Sequence, residues 1–149
     1  YVRHGAKWGQ FLNNIEYIKT RRPNLITNAH PLYCTYSAFN LVEYYDYVLS
    51  ENIFQGIYWC IIQNIDGLNV LNLSSKLKEI AINEIEKCET RFKNETGIDH
   101  LIDIKQKLIE SVDQNQNKSF INWTKQIEQQ QGKTTTFKQL WPELYQNLI

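Results

Sequence analysis

Apolar residues recur at helical spacing along most of the chain. Trp8, Phe11, Leu12, Ile15 and Ile18 mark a first amphipathic helix, which Pro23-Asn24 ends. Lys19, Arg21 and Arg22 sit near its C-terminus, where cations are favoured. The run 25–29 has strand character and leads into Pro31, so residues 32–37 are expected to be extended or looped. A second helix is expected from Asn40 as N-cap, with Leu41, Tyr44, Tyr45, Val48 and Leu49 as its stripe and Asn52 as its stop. Residues 57–62, Ile-Tyr-Trp-Cys-Ile-Ile, predict a strand covered on both faces. Asp66-Gly67 marks a turn.

Beyond that turn only helical spacing remains. Ser74 or Ser75 opens a long helix carrying Leu77, Ala81, Ile85, Cys88 and Phe92, although Ser75-x-x-Lys78 lacks the acid of a capping box. Gly97 breaks it. Leu101, Ile104, Leu108 and Val112 mark another helix, and residues 113–118 form a polar joint. Phe120, Trp123 and Ile127 belong to a helix that Gly132 ends. Phe137, Leu140, Trp141, Leu144 and Leu148 close the chain at helical spacing. The first half thus reads as the βαβ pattern of a parallel sheet, with too few strands to complete one. A helix opens the chain where a βα unit needs a strand first, and the chain contains no Met. The expectation is a chain that begins in the middle of an α/β domain.

Composition narrows the function classes. With 149 residues, one domain is expected, large enough to fold without a metal or disulfide staple. Sixteen basic residues balance sixteen acidic ones, which gives no pull toward nucleic acid or an anionic membrane. No apolar stretch is long enough to span a bilayer. Three widely spaced cysteines argue against a disulfide framework and for a reducing, cytoplasmic compartment.

Chemistry-bearing clusters are sparse. No Gly-rich phosphate loop occurs. His30 and Cys34 flank Pro31 and could converge at a strand end with Cys60, but the simpler expectation is that Cys34, Cys60 and Cys88 are small buried hydrophobes. Glu43 and Asp46 are expected on a solvated face, as are Glu84, Glu86 and Glu89. The aromatic residues do not interleave with a basic stripe, so packing is their expected use. Sequons at Asn72, Asn94, Asn117 and Asn122 are expected by chance in an Asn-rich chain. No acid–base pair stands at a suggestive spacing, and no catalytic or metal residue is assigned.

The order of segments resembles a known family. Tyr1-Val2-Arg3-His4-Gly5-Ala6-Lys7-Trp8 is similar to the stretch that follows the fourth barrel strand in radical S-adenosylmethionine (SAM) proteins of the "twitch" type. Asn13-Asn14-Ile15 looks like the next helix, and Pro23-Asn24-Leu25-Ile26 like the approach to a fifth strand. Thr35-Tyr36-Ser37-Ala38-Phe39-Asn40-Leu41 resembles the family's TVSxxN loop, with Tyr36 where Val is usual. Residues 57–62 resemble the sixth strand, and 71–78 an lpxxLK segment. The tail from Trp123 through Gly132 to Trp141-Pro142-Glu143-Leu144 resembles a closing RGxxxxxxFPEL. Residues 63–67 lack the family's Pro, and the CxxxCxxC cluster motif is absent.

The resemblance implies an α/β fold: a partial, half TIM-like parallel barrel over residues 1–75, its strands alternating with helices, and a helical C-terminal extension over 76–149 packed on it. It implies SAM and a [4Fe–4S] cluster for the complete protein, with the cluster held elsewhere. Arg3 matches the family arginine that pairs with the SAM carboxylate. Thr35, Ser37 and Asn40 match the loop that reaches adenosine or substrate. Such a chain would position SAM and a peptide or protein substrate for hydrogen abstraction by a 5′-deoxyadenosyl radical, and would not be catalytic alone. Exposed sheet edges would favour self-association. The other reading is a mostly helical, non-enzymatic interaction domain that uses its aromatic surface.

Overall fold

The structure is a computed structural model that describes residues 7–114, 116–132 and 135–148. The expected first helix forms as α1 (Trp8–Arg21), followed by β1 (Asn28–Ala29) and β2 (Leu32–Tyr33). Helix α2 (Leu41–Ser50) then crosses over to β3 (Gly56–Ile57) and β4 (Cys60–Ile61). A 3₁₀ turn at Val70–Asn72 leads into α3 (Ser75–Arg91), α4 (Ile98–Glu110), α5 (Asn117–Gln131), α6 (Phe137–Leu140) and α7 (Pro142–Leu148).

The half-barrel expectation is overturned. The described residues are 59% helix and 6% strand, with two short parallel two-strand sheets instead of alternating strands and helices. Asn28 pairs with Gly56 and Leu32 with Cys60 at the same sequence offset, so both sheets share one register. They are one parallel ladder broken at Pro31, which has no N–H to donate. The carbonyls of Ala29, Pro31 and Tyr33 still accept from Tyr58, Cys60 and Ile62 at 2.9–3.1 Å. Among the described residues no further strand forms from 75 onward, because the apolar residues there repeat every three to four positions and bury one helix face.

One face of the ladder is covered and the other is open. Ala29, Tyr33, Ile57 and Trp59 are buried, whereas Asn28, His30, Leu32, Tyr58 and Cys60 are exposed. The expectation of a strand covered on both faces at 57–62 therefore fails: successive side chains alternate between core and solvent. Trp59 sits at the centre of the covered side. Its ring lies 5.1 Å from Tyr44 and edge-on to Tyr33 at 6.1 Å, and its Nε1 donates to the Tyr45 hydroxyl at 3.1 Å. Helix α3 packs on both α2 and α4 and carries Leu77, Ala81, Ile85 and Cys88 into the same core.

The start of α3 is completed from a distance. Neither Ser74 nor Ser75 caps it in the local manner. Asp113 instead accepts from the Ser75 N–H at 2.9 Å and its hydroxyl at 2.8 Å, while the Asn117 side-chain carbonyl accepts from the Ser74 N–H at 3.1 Å. The acid absent from the 75–78 spacing comes from 38 residues downstream. The buried Lys78 ammonium donates to the Ser111 and Val112 carbonyls at 3.3 and 2.9 Å, which places a cation at the end of α4. The polar joint of the sequence is thus a clasp between α3, α4 and α5.

Several buried acids of weak strength set the alkaline limit of the fold. Burial pushes the Tyr33 and Tyr45 phenols far above their ordinary value, and pushes Tyr44 up to about 12. Burial, with the Glu84 carboxylate next in weight, raises the Cys88 thiol to about 12. In the unfolded chain these groups ionise near their ordinary values, so above that range the native state binds more protons and stability falls as pH rises. Each such group removes about 1.4 kcal/mol per pH unit. Thermal melts from pH 8 to 11 are expected to show a melting temperature that is level at first and then falls steeply. A level profile through pH 11 would show that these phenols and the thiol reach water.

Candidate functional site

In an open parallel α/β unit, ligands gather beyond the carboxyl ends of the strands. Here those ends are the segment after β2, which carries Thr35 to Asn40, and the segment after β4, which carries Gln63 to Asn69. The two meet where the Thr35 N–H donates to the Leu68 carbonyl at 3.1 Å.

The four residues singled out by the resemblance do not gather into one open cluster. Arg3 lies outside the described residues. Thr35 is fully buried and its Oγ1 makes no hydrogen bond. The Ser37 hydroxyl is consumed locally: it accepts from the Cys34 N–H at 2.9 Å and donates to the Leu32 carbonyl at 2.8 Å. Asn40 precedes α2 as its N-cap residue, but its side chain makes no capping bond there. It is half-buried, as is Ser37, but unlike the Ser37 hydroxyl its side chain is not taken up by the loop.

Tyr36 gives this loop its character. Its hydroxyl and that of Thr124 share a 2.7 Å hydrogen bond, and its ring packs edge-on to Phe120 at 4.9 Å and Phe137 at 6.0 Å. The larger residue at a position where the resemblance has Val therefore ties the loop to α5 and α6. The second loop is pressed onto α5 as well: a Cβ on Gly67 would lie 2.8 Å from the Trp123 Cβ and 3.0 Å from the Ser119 carbonyl oxygen. Helix α5 roofs both strand ends.

The open face of the ladder is the feature the sequence reading missed. His30 stacks on Tyr58, its partner across the ladder, with centroids 5.4 Å apart and planes 21° off parallel. His100, from the first turn of α4, also packs on Tyr58, with centroids 5.7 Å apart and its Nδ1 buried and unpartnered. The Cys60 thiol is exposed on the same face. Only the polar residues Asn28 and His30, two apart, hint at this face in the sequence. Tyr, Leu and Cys are apolar enough, however, to be read as core.

The three cysteines do not fit an iron–sulfur cluster. Cys34 and Cys88 are buried on the core side, and Cys60 is exposed on the opposite face. Cluster ligation needs convergent thiolates, and burial holds Cys88 protonated. Among the described residues no group of three His, Cys, Asp or Glu side chains is placed to hold a metal ion. The fit to SAM is partial: the Asn40 amide offers a donor, whereas Ser37 is already saturated and the Thr35 hydroxyl is fully buried. Two of the four sequon asparagines, Asn72 and Asn117, are buried and hydrogen-bonded to neighbours. Among the described residues no helix is long and apolar enough to cross a membrane. No protein-family model, curated protein or solved structure matches the chain.

Proposed function

We propose that this chain is a positioning part of a radical SAM-type system: it holds SAM and a peptide or protein substrate, while the cluster is held by other cysteines. The observation that carries the reading is the single-register parallel ladder, whose C-terminal end leads directly into the Thr35–Asn40 loop. The resemblance of the motif order to radical SAM proteins supports SAM as the ligand. Asn40 is the donor best suited to the adenosine or the substrate, since its side chain makes no capping bond at the start of α2. When bound, SAM would supply the radical precursor; the residues of this chain would only bind and orient. Three free thiols, one of them exposed, suit a reducing cytoplasm.

Two measurements test this. After iron and sulfide reconstitution the chain alone is expected to cleave no SAM, because its thiols do not converge. Formation of 5′-deoxyadenosine by this chain alone would overturn the division of labour. Equilibrium dialysis with labelled SAM is expected to show weak, saturable retention that Asn40→Ala lowers; retention identical in the variant would remove Asn40 from the site.

A second reading, a helical interaction domain without SAM, is favoured by one observation. Helix α1 has no buried residue and touches the body through Trp8 against Tyr47 and Phe11 against Phe54. Beside it Leu25 and Ile26 are exposed, as is Leu32 on β2. A second copy could pair along that β1–β2 edge. Size-exclusion light scattering over a concentration series separates the readings: concentration-dependent dimers support edge pairing, and a monomer throughout removes it.

A further inference from the structure

Helices α5, α6 and α7 enclose a hollow of about 190 Å³. One wall is α5, where Ile121, Thr124, Lys125 and Glu128 fall at i, i+3, i+4 and i+7 and so share one helix face. The start of α6 and Tyr145 of α7 complete it. Thr124 and Phe137 are buried and form the floor, with Ile121 and Tyr145 half-buried beside them. Lys125 and Lys138 are exposed and stand at the mouth. The walls are fixed by contacts of their own. The Glu128 carboxylate accepts from the Phe137 N–H, which ties α5 to α6, and the Phe137 ring packs on both Phe120 and Trp141 at 5.2 Å.

Most of the polar groups around the hollow are already committed. The Thr124 hydroxyl is bonded to Tyr36, and Thr136 forms a capping box with Gln139. Glu128 is held by the Phe137 N–H. The cations are different. Lys138 lies over the Tyr145 ring, 5.5 Å from its centroid, and among the described residues no carboxylate forms an ion pair with Lys125 or Lys138. Ligand sites are concave and mostly apolar, with a few placed polar groups. An apolar floor below two uncommitted ammonium groups matches an apolar body that carries one carboxylate. Size sets the limit: a cavity of about 150 Å³ takes a benzene ring, so one ring with a short acid arm fills this one. A nucleotide or a long acyl chain is too large. Phosphate would leave the apolar floor unused and would face the Glu128 carboxylate.

We propose that this hollow binds a small monocarboxylate with a single aromatic or similarly compact apolar body, its ring seated on Ile121, Phe137 and Tyr145 and its carboxylate held by Lys125 and Lys138. The site is separate from the Asn40 loop and does not depend on the role proposed for that loop.

The test is a nitrogen-15 NMR titration of the whole chain with three probes: phenylacetate, its neutral counterpart 2-phenylethanol, and inorganic phosphate. Phenylacetate is expected to give saturating shifts centred on α5, α6 and Tyr145. It should bind at least roughly fivefold more tightly than the alcohol at low salt, with the advantage shrinking as salt screens the exposed ammonium groups. Phosphate is expected to leave the floor residues unshifted. Lys125→Gln with Lys138→Gln, both at exposed positions, is expected to bring acid and alcohol to equal affinity. Ile121→Trp, which fills the hollow from its side, is expected to abolish binding of both. Circular dichroism melts confirm that the variants remain folded. Equal affinity of acid and alcohol for the unaltered chain, a preference unchanged by the double Lys variant, binding that survives Ile121→Trp, or phosphate binding as tightly as phenylacetate would each overturn the proposal.

Discussion

Replacing Trp59 with alanine is expected to cost about 3–5 kcal/mol, a large share of the roughly 5–15 kcal/mol that holds a domain of this size. Trp59 is 6% exposed and is the residue on which the covered side of the ladder closes. Tyr44, Tyr45 and Tyr33 all contact its ring, and its N–H satisfies the Tyr45 hydroxyl. Alanine would leave a cavity among three aromatic rings and cost Tyr45 a donor, although that hydroxyl still reaches the Thr96 carbonyl at 3.3 Å. The melting temperature is expected to fall by about 10 °C or more. Trp59→Phe keeps most of the volume and should lose clearly less. Equal losses for the two variants would mean that the indole N–H, not the filled volume, dominates.

Gly97→Ala is expected to cost about 2–5 kcal/mol, from two independent penalties. Gly97 has a φ of 86°, a left-handed conformation that disfavours any Cβ. An added Cβ would also sit 2.5 Å from the Ile57 carbonyl oxygen and 3.1 Å from the Tyr45 hydroxyl. The close approach exists because the α3–α4 turn covers the outer edge of β3, where the Ile57 N–H donates to Thr96 Oγ1 at 2.9 Å. Gly132→Ala supplies the comparison. Its φ of 58° carries the same conformational cost, but nothing lies within 4 Å of the new Cβ. The expected order of urea midpoints is Gly97→Ala well below Gly132→Ala, with Gly132→Ala below wild type by the conformational cost alone, about 1 kcal/mol. If the two match, the contact with β3 contributes little.

The helices were legible in the sequence because a stripe at i, i+3, i+4 has one physical meaning when it runs for three turns. Trp8 to Ile18, Leu77 to Cys88 and Leu101 to Leu108 all lie in helices of the expected kind. Residues 57–62 were less legible: six apolar residues in a row carry no period, so the exposed face of Tyr58 and Cys60 was hidden. The barrel expectation came from the resemblance, and the ladder stops at two strands because the remaining apolar residues bury helix faces. Long-range polar partners were not legible at all. Neither the Asp113 clasp on Ser75 nor the Tyr36–Thr124 bond, 88 residues apart, leaves a local pattern. That bond also decides the candidate site, since it brings α5 over the strand ends and leaves the open ladder face and Asn40 as the accessible chemistry.

The most direct test of the proposed role is a nitrogen-15 NMR titration of the chain with S-adenosylhomocysteine, a stable analogue that retains adenosine and the amino-acid group. The account expects saturating shifts confined to the Asn40 loop and the strand ends next to it. Shifts centred elsewhere in the chain, or none at millimolar ligand, would contradict it.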